Sequence, residues 1–398
     1  MFWAAARFEE YDETIVNYKI AIYVQHLLGA GHLVRAMSLA DTLSEDGHQV
    51  LLLSGGFPID RPVTAYTLYP LPPTRAIEGD FTKLVDEHGE PLSEAWRRHR
   101  AALLLAKVQE FQPDLLITET FPFGRRQFRF ELEPLLSWVK SQASVRLMAS
   151  IRDVLQRRTE IRNRQTVDTI EQYYDAVLVH ADKALFKLDA SFPLSREIKD
   201  KLIYTGYIHQ PADVPPPLIG KAGGSEDGFD EIIVSGGSGN VSARLLETAR
   251  LARPLSSAKS RVWRLLSGRD NTRGGATSPE YGLIVEPNRA DFFTLLGRCA
   301  LSVSQAGYNT TLDVLASGAR SVMVPFAGDG ETEQTDRAQA LERAGRLVQV
   351  PEAGLTPQKL AHAVDRALEQ MPVEISVNLS GATNSARLIS QKLNEWKA

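Results

Sequence analysis

The sequence predicts an α/β protein built from two doubly wound, parallel-sheet domains that face a cleft, and three observations predict it. Short apolar runs alternate with amphipathic segments of helical length, the pattern of parallel strands covered by helices. The alternation runs through twice, on either side of a stretch rich in Pro, Gly and acids. At 398 residues the chain exceeds the size at which a single hydrophobic core stops growing, so about two domains are expected.

Taken in order, residues 1–17 precede the first strand and read as an extension. The first domain spans 18–208, with strands expected at 20–24, 50–53, 115–118, 146–150, 176–179 and 202–205. Residues 209–230, HQPADVPPPLIGKAGGSEDGFD, read as the linker, and the three consecutive prolines favour an extended, semi-rigid connector. The second domain spans 231–375, with strands expected at 232–234, 262–266, 283–285, 301–304, 321–324 and 347–350. A last helix, 381–396 within a segment 376–398, follows the break at Pro372.

Composition narrows the function classes. A hydrophobic content of 43% describes an ordered globular chain, and a net charge of −4 supplies no global basic field for nucleic acid. The one cysteine, Cys299, cannot form an intrachain disulfide; it reads as a packed thiol in a reducing, cytoplasmic setting. No metal is expected, because the eight histidines show no metal-ligand spacing and no Asp-x-Asp occurs. No run approaches the roughly 18 apolar residues of a membrane span, and MFWAAARFEEYDE turns acidic too early for a signal peptide. The basic stretch from Arg152 to Arg164 suits either an anionic acceptor or lipid headgroup, with peripheral contact at the inner membrane face, or a solvated helix face.

Three strand–glycine turn–helix corners carry the chemistry. In the third, an apolar strand runs into Gly307, and Asn309, Thr310 and Thr311 open a helix whose unpaired N–H groups and partial positive charge suit phosphate oxygens. Asp313, expected in the first turn, is placed to accept from a ribose hydroxyl, unless the segment is an ordinary capped helix. In the second corner, Ser235, Gly236, Gly237, Ser238 and Gly239 can cradle a diphosphate through backbone N–H groups, or form a plain Gly/Ser turn. In the first corner, Gly29 and Gly31 make the turn and His32 stands at a helix start, where the helix dipole favours the neutral imidazole that a general base requires. The alternative is a histidine capping its own helix. Glu119 ends a buried strand and can reach the same crevice as His32, or else pair with Arg125 or Arg126.

These residues carry a resemblance. GYNTTLDVLASGA resembles the donor-binding signature of GT-B glycosyltransferases, both the plant small-molecule glucosyltransferases and the bacterial peptidoglycan N-acetylglucosaminyl transferase. The resemblance implies two Rossmann-like domains, diphosphate contacts from Gly307, Asn309 and Thr310, ribose binding by Asp313, and donor-sugar binding by Glu333 and Gln334. Gln305 stands where the plant enzymes carry a phosphate-binding His, Tyr308 replaces their Trp, and GDGET lengthens the approach to Glu333. The Gly236–Gly239 loop resembles the one opening the peptidoglycan enzyme's donor domain. His32 follows the glycine turn as the catalytic His does in many GT-B enzymes, and Gly29, Gly31, His32 and Arg35 match the GxGHxxR of nucleotide-sugar hydrolases. Glu119-Thr120-Phe121 is similar to the Asp-x-Phe that orients the plant base. YVQHLLGAGHLVRA and TETFPFGRRQFRFE resemble bacterial predicted glycosyltransferases related to the peptidoglycan enzyme, and the likeness covers nearly all of residues 18–398.

The expected activity is metal-independent inverting transfer, with no cofactor, from a nucleotide diphosphate sugar, a UDP-sugar in the first instance, to the hydroxyl of a sugar, glycolipid or small molecule. His32 is the expected base and Glu119 its partner. A nucleotide-sugar hydrolase or epimerase using the same cleft, and a non-catalytic nucleotide-sugar-binding protein, stay open on the sequence.

Overall fold

The computed structural model describes residues 17–27, 29–59, 63, 65–77, 80–209, 227–236, 243–267 and 282–397. The first domain contains strands Lys19–Val24 (β1), Gln49–Ser54 (β2), Thr67–Pro70 (β3), Arg75–Ile77 (β4), Asp80–Val85 (β5), Leu115–Glu119 (β6), Arg146–Arg152 (β7), Ala176–His180 (β8) and Leu202–Tyr204 (β9). Its helices are Gly31–Glu45 (α1), Glu94–Phe111 (α2), Arg129–Ser141 (α3) and Glu160–Tyr173 (α4). Seven strands form one parallel sheet in the order β3-β2-β1-β6-β7-β8-β9, while β4 and β5 pair as a separate antiparallel ribbon. The periodicity of the sequence had not marked β3, β4 or β5. β3 is largely exposed at a sheet edge, so it lacks the apolar run that betrays a buried strand.

The second domain repeats the plan. Strands Ile232–Ser235 (β10), Trp263–Ser267 (β11), Leu283–Pro287 (β12), Leu301–Ser304 (β13), Ser321–Met323 (β14) and Val348–Gln349 (β15) form a parallel sheet in the order β12-β11-β10-β13-β14-β15. Helices Ala243–Ala252 (α5), Phe292–Arg298 (α6), Tyr308–Ser317 (α7), Glu333–Arg343 (α8) and Pro357–Glu369 (α9) cover it. Local signals delimit several of these helices. Ser93 caps α2 by accepting from the Trp96 N–H at 3.1 Å, and Thr356 does the same for α9 at 3.2 Å with Pro357 behind it. Gly318, at φ +71°, ends α7 in the left-handed conformation that only glycine adopts without strain.

In both sheets the strand order reverses at one seam, β1 beside β6 and β10 beside β13. A doubly wound sheet opens a crevice beyond the carboxyl ends of its strands at such a seam. Register places Tyr23 beside Thr118, and Ser235 beside Ser304. The carboxyl ends of β1 and β6 and those of β10 and β13 are therefore the two switch points of the fold.

The final helix, Gly381–Lys397 (α10), packs on the first domain. Ala382, Ala386, Ile389 and Leu393 share a buried cluster with Leu33, Met37, Ala40 and Leu43 of α1, and Ser390 Oγ lies 2.9 Å from His48 Nε2. A second contact joins the domains directly. Arg337 of α8 donates from Nη2 and Nε to Asp153 at 2.7 and 2.9 Å, and from Nη1 to the Ala306 carbonyl at 2.8 Å. Both charged side chains are almost fully buried. Asp153 follows β7 in the basic stretch from Arg152 to Arg164, which divides between a strand end, this interface and the solvent-exposed start of α4.

His180, at the end of β8, is fully buried between Ser150 Oγ and Thr205 Oγ1, each 2.8 Å from a ring nitrogen. Burial, reinforced by the charge of Arg35, pushes its pKa down to about 3. The unfolded chain binds this proton below about pH 6.5 and the native state does not. Unfolding free energy should therefore fall as the pH drops from 6.5 towards 3, and His180→Gln should remove about 1.4 kcal/mol per pH unit from that slope in denaturant titrations. For the interdomain pair, Arg337→Ala leaves a buried carboxylate without its partner and should cost about 3–5 kcal/mol. Restoration of much of that loss by adding Asp153→Ala in the same protein is the expected companion result; strict additivity would mean that the two charges do not depend on each other.

Candidate active site at the domain interface

The first crevice is built around Glu119. This carboxylate, 1% exposed at the end of β6, lies 3.0 Å through either oxygen from His32 Nδ1. His32 is the second residue of α1, and Arg35, one helical turn on, also grips Glu119. Thr120 Oγ1 donates to Glu119 Oε2 at 2.7 Å. Thr120 holds φ +68°, a costly conformation for a β-branched residue, and such strain persists where the surroundings over-determine it. Arg125 and Arg126 do not pair with Glu119: Arg125 Nε donates to the Gln25 carbonyl at 2.7 Å, and Arg126 bonds Gln165 and the Arg162 carbonyl.

Burial lowers the His32 pKa to about 3, against the opposing pull of Glu119, so the imidazole is neutral at neutral pH. The sequence points to the helix dipole as a source of this neutrality; the structure adds burial, the largest of the effects that act on the ring here. Burial would raise Glu119, but His32, Arg35 and the hydrogen bonds from His32 and Thr120 more than offset it and hold the carboxyl below its ordinary range. A carboxylate facing Nδ1 selects the tautomer that carries its proton there, leaving Nε2 to accept one. His32 is therefore hydrogen-bonded to a carboxylate rather than capping its helix; α1 has no side-chain cap.

The second domain presents the start of α7 to this dyad. Gly307 is the N-cap, and Tyr308, Asn309 and Thr310 begin the helix. A Cβ placed on Gly31 would lie 3.6 Å from the Asn309 side-chain nitrogen, so the N-termini of α1 and α7 meet across the interface. Gly236 leaves β10 beside this point; Gly237, Ser238 and Gly239 lie outside the described residues, as do residues 1–16 and most of the linker. Gly29 precedes α1, and Gly31 is its first residue. Asp313 sits in the second turn of α7, not the first as the sequence suggested, because the helix already begins at Tyr308; its Oδ1 accepts from His209 Nε2 at 2.9 Å. Glu333, largely buried, is ion-paired with Arg152 of the first domain, and Gln334 accepts the Phe326 N–H at 3.0 Å through its side-chain oxygen. Cys299 ends α6 with Sγ 3.3 Å from the Leu296 carbonyl, and burial pushes its thiol up to about 12.

Thr120, Arg152 and Tyr308 also form this site, and Arg35 has a role beyond completing a motif. The spacing of His32 and Arg35 could have placed them on one helix face, but nothing local links Arg152 or Tyr308 to residues more than a hundred positions away. No group of three or more potential metal ligands occurs among the described residues, and no helix there is long and apolar enough to cross a membrane.

Residues 290–393 match the glycosyltransferase family 28 C-terminal domain, which takes in α7, β14, α8 and α10. Among curated proteins, the UDP-N-acetylglucosamine–N-acetylmuramyl-(pentapeptide) pyrophosphoryl-undecaprenol N-acetylglucosamine transferase of Chelativorans sp. is 27% identical over 222 residues, 52% of this chain and 58% of that protein. The enzyme of the same name from Thermotoga neapolitana is 30% identical over 92 residues, 23% of this chain and 26% of that protein. The chain thus matches between about a quarter and three fifths of the length of these relatives. Among solved structures, the glycotransferase of kitacinnamycin superposes with a TM-score of 0.64 at 15% identity, covering 95% of this chain and 100% of that one. MurG of Acinetobacter baumannii does so with a TM-score of 0.57 at 15% identity, over 95% and 99%. The chain has the GT-B fold, two Rossmann-like domains about a cleft, and its second half carries the match to the glycosyltransferase family 28 C-terminal domain.

Proposed function

We propose that this protein is a glycosyltransferase that moves a sugar, with inversion, from a nucleotide diphosphate sugar to an acceptor hydroxyl. The observation that carries the reading is the buried His32–Glu119 pair set against the N-terminus of α7. His32 Nε2 takes the acceptor proton as the acceptor oxygen attacks the anomeric carbon from the face opposite the diphosphate. The bond from that carbon to the diphosphate oxygen breaks and its electron pair leaves with the diphosphate. Glu119 orients the ring and stabilises the imidazolium as it forms. The α7 N-terminus, with Asn309 and Thr310, and the backbone of Gly236 at the end of β10 meet the departing charge, a role in which fixed dipoles can stand in for a cation. Asp313 retains Oδ2 for a ribose hydroxyl, and Gln334 its side-chain NH₂ for the donor sugar.

The names of the curated relatives support a UDP-sugar as the first donor to test and a lipid-linked sugar as one acceptor class. A cytoplasmic setting with reach to the membrane face fits that acceptor. Saturating UDP should raise the melting temperature without added metal, since a ligand at a hundred times its Kd adds about 2.7 kcal/mol. Absence of a shift with UDP, GDP, CMP or dTDP would remove the donor site. His32→Ala should lower kcat about 10²–10⁴-fold with UDP affinity retained. The acid limb of kcat/KM should lie below pH 6.5, because the base is held neutral by burial. Sugar release at the same rate with and without acceptor would instead assign a hydrolase.

A further inference from the structure

Tyr308 is the first residue of α7, yet its side chain belongs to the other domain. It is buried, its hydroxyl donates to the His180 carbonyl at 3.3 Å, and its ring lies 6.0 Å from that of Tyr207. Two guanidinium groups approach the same ring: Arg35 at 5.2 Å from the centroid and Arg337 at 5.8 Å. Arg337 is the residue that closes the interface on Asp153, and Arg35 is the residue that grips Glu119. One ring thus touches both the interdomain clasp and the group that holds the base's partner.

We propose that Tyr308 is a positioning residue that couples the seating of the donor helix to the readiness of the base, through Arg35 and Glu119 to His32. Cation–π attraction in a water-excluded setting orients the guanidinium. Arg35 fixes the carboxylate, and the carboxylate fixes the imidazole. When the second domain carries its donor into place, Tyr308 completes this stack; with the domains apart, Arg35 loses the ring and the dyad is open to water. Closure of this kind assembles the catalytic constellation and excludes solvent together. The groups facing His32 are Glu119 and Thr120 at the end of β6, Arg35 on α1, Arg125 in the loop beyond β6 and Arg152 on β7.

The inference rests on the transferase reading, so the test has one arm that needs no turnover. Tyr308→Leu keeps apolar bulk but removes the ring; Tyr308→Phe keeps the ring and removes only the hydroxyl. In histidine-labelled NMR titrations of the full chain, with the His32 resonance assigned by its loss in His32→Gln, Tyr308→Leu should raise the His32 pKa towards the ordinary imidazole value. Tyr308→Phe should leave it low. Kinetically, Tyr308→Leu should lower kcat about ten- to thirtyfold with UDP Kd within about twofold of wild type, and Tyr308→Phe should restore most of it. An unmoved His32 titration in Tyr308→Leu overturns the coupling. So does a Phe variant as impaired as the Leu one, which would assign the effect to the hydroxyl, or a parallel loss of UDP affinity and kcat, which would assign it to α7 itself. A wild-type protein that transfers no sugar removes the transferase reading, and the NMR arm still decides the coupling.

Discussion

The cleft depends on one ion pair, Arg337 with Asp153. It lies between domains, almost fully buried, and Arg337 also holds the Ala306 carbonyl in the turn that leads into α7. A charge in such a place is expensive unless its partner is fixed. The pair therefore favours the relative setting of the two sheets in which both charges are matched. Around it, Gln156 donates to the Gly330 carbonyl, and Arg157 makes a two-pronged contact with Asp336. These rim contacts are exposed and individually weak, so the buried pair, with the partly buried Arg152–Glu333 contact beside it, matters more than they do.

Within that setting the two switch-point crevices have different chemistry. The crevice of the first domain holds an ionised carboxylate and a neutral imidazole: burial keeps His32 neutral, while Arg35 and the hydrogen bonds around Glu119 keep it ionised against the same burial. The crevice of the second domain offers backbone N–H groups and small polar side chains. Placed together, a proton acceptor and an anion-stabilising helix end are what a displacement at an anomeric carbon needs on its two opposite sides.

Much of this was legible in the chain. The twelve apolar runs that alternate with helices are the strands of the two main sheets apart from β3; most of them are buried and read as continuous Val, Ile and Leu, and the partly exposed β9 and β12 still carry short runs of that kind. His32, Glu119 and Gly307 stand out because a glycine turn or a polar residue closing a buried strand has a local signature. β3 and the β4–β5 ribbon were not legible, since edge and ribbon strands lack such runs. Arg152, sitting in a basic stretch, looked like surface, and its pairing with Glu333 depends on the second domain.

The sequence by itself pointed to the two-sheet α/β architecture, to the glycine turns that precede α1 and α7, and to His32 and Glu119 as polar residues at a glycine turn and a strand end. Each follows from periodicity or from a few adjacent residues whose backbone needs are local. Only the tertiary structure decided that Tyr308 of one domain lies over Arg35 of the other, that Glu333 pairs with Arg152, that Asp313 meets His209, and that burial lowers the pKa of His32. Those outcomes depend on distances between residues far apart in the chain and on the exclusion of water between packed domains, and neither quantity is written in any local pattern.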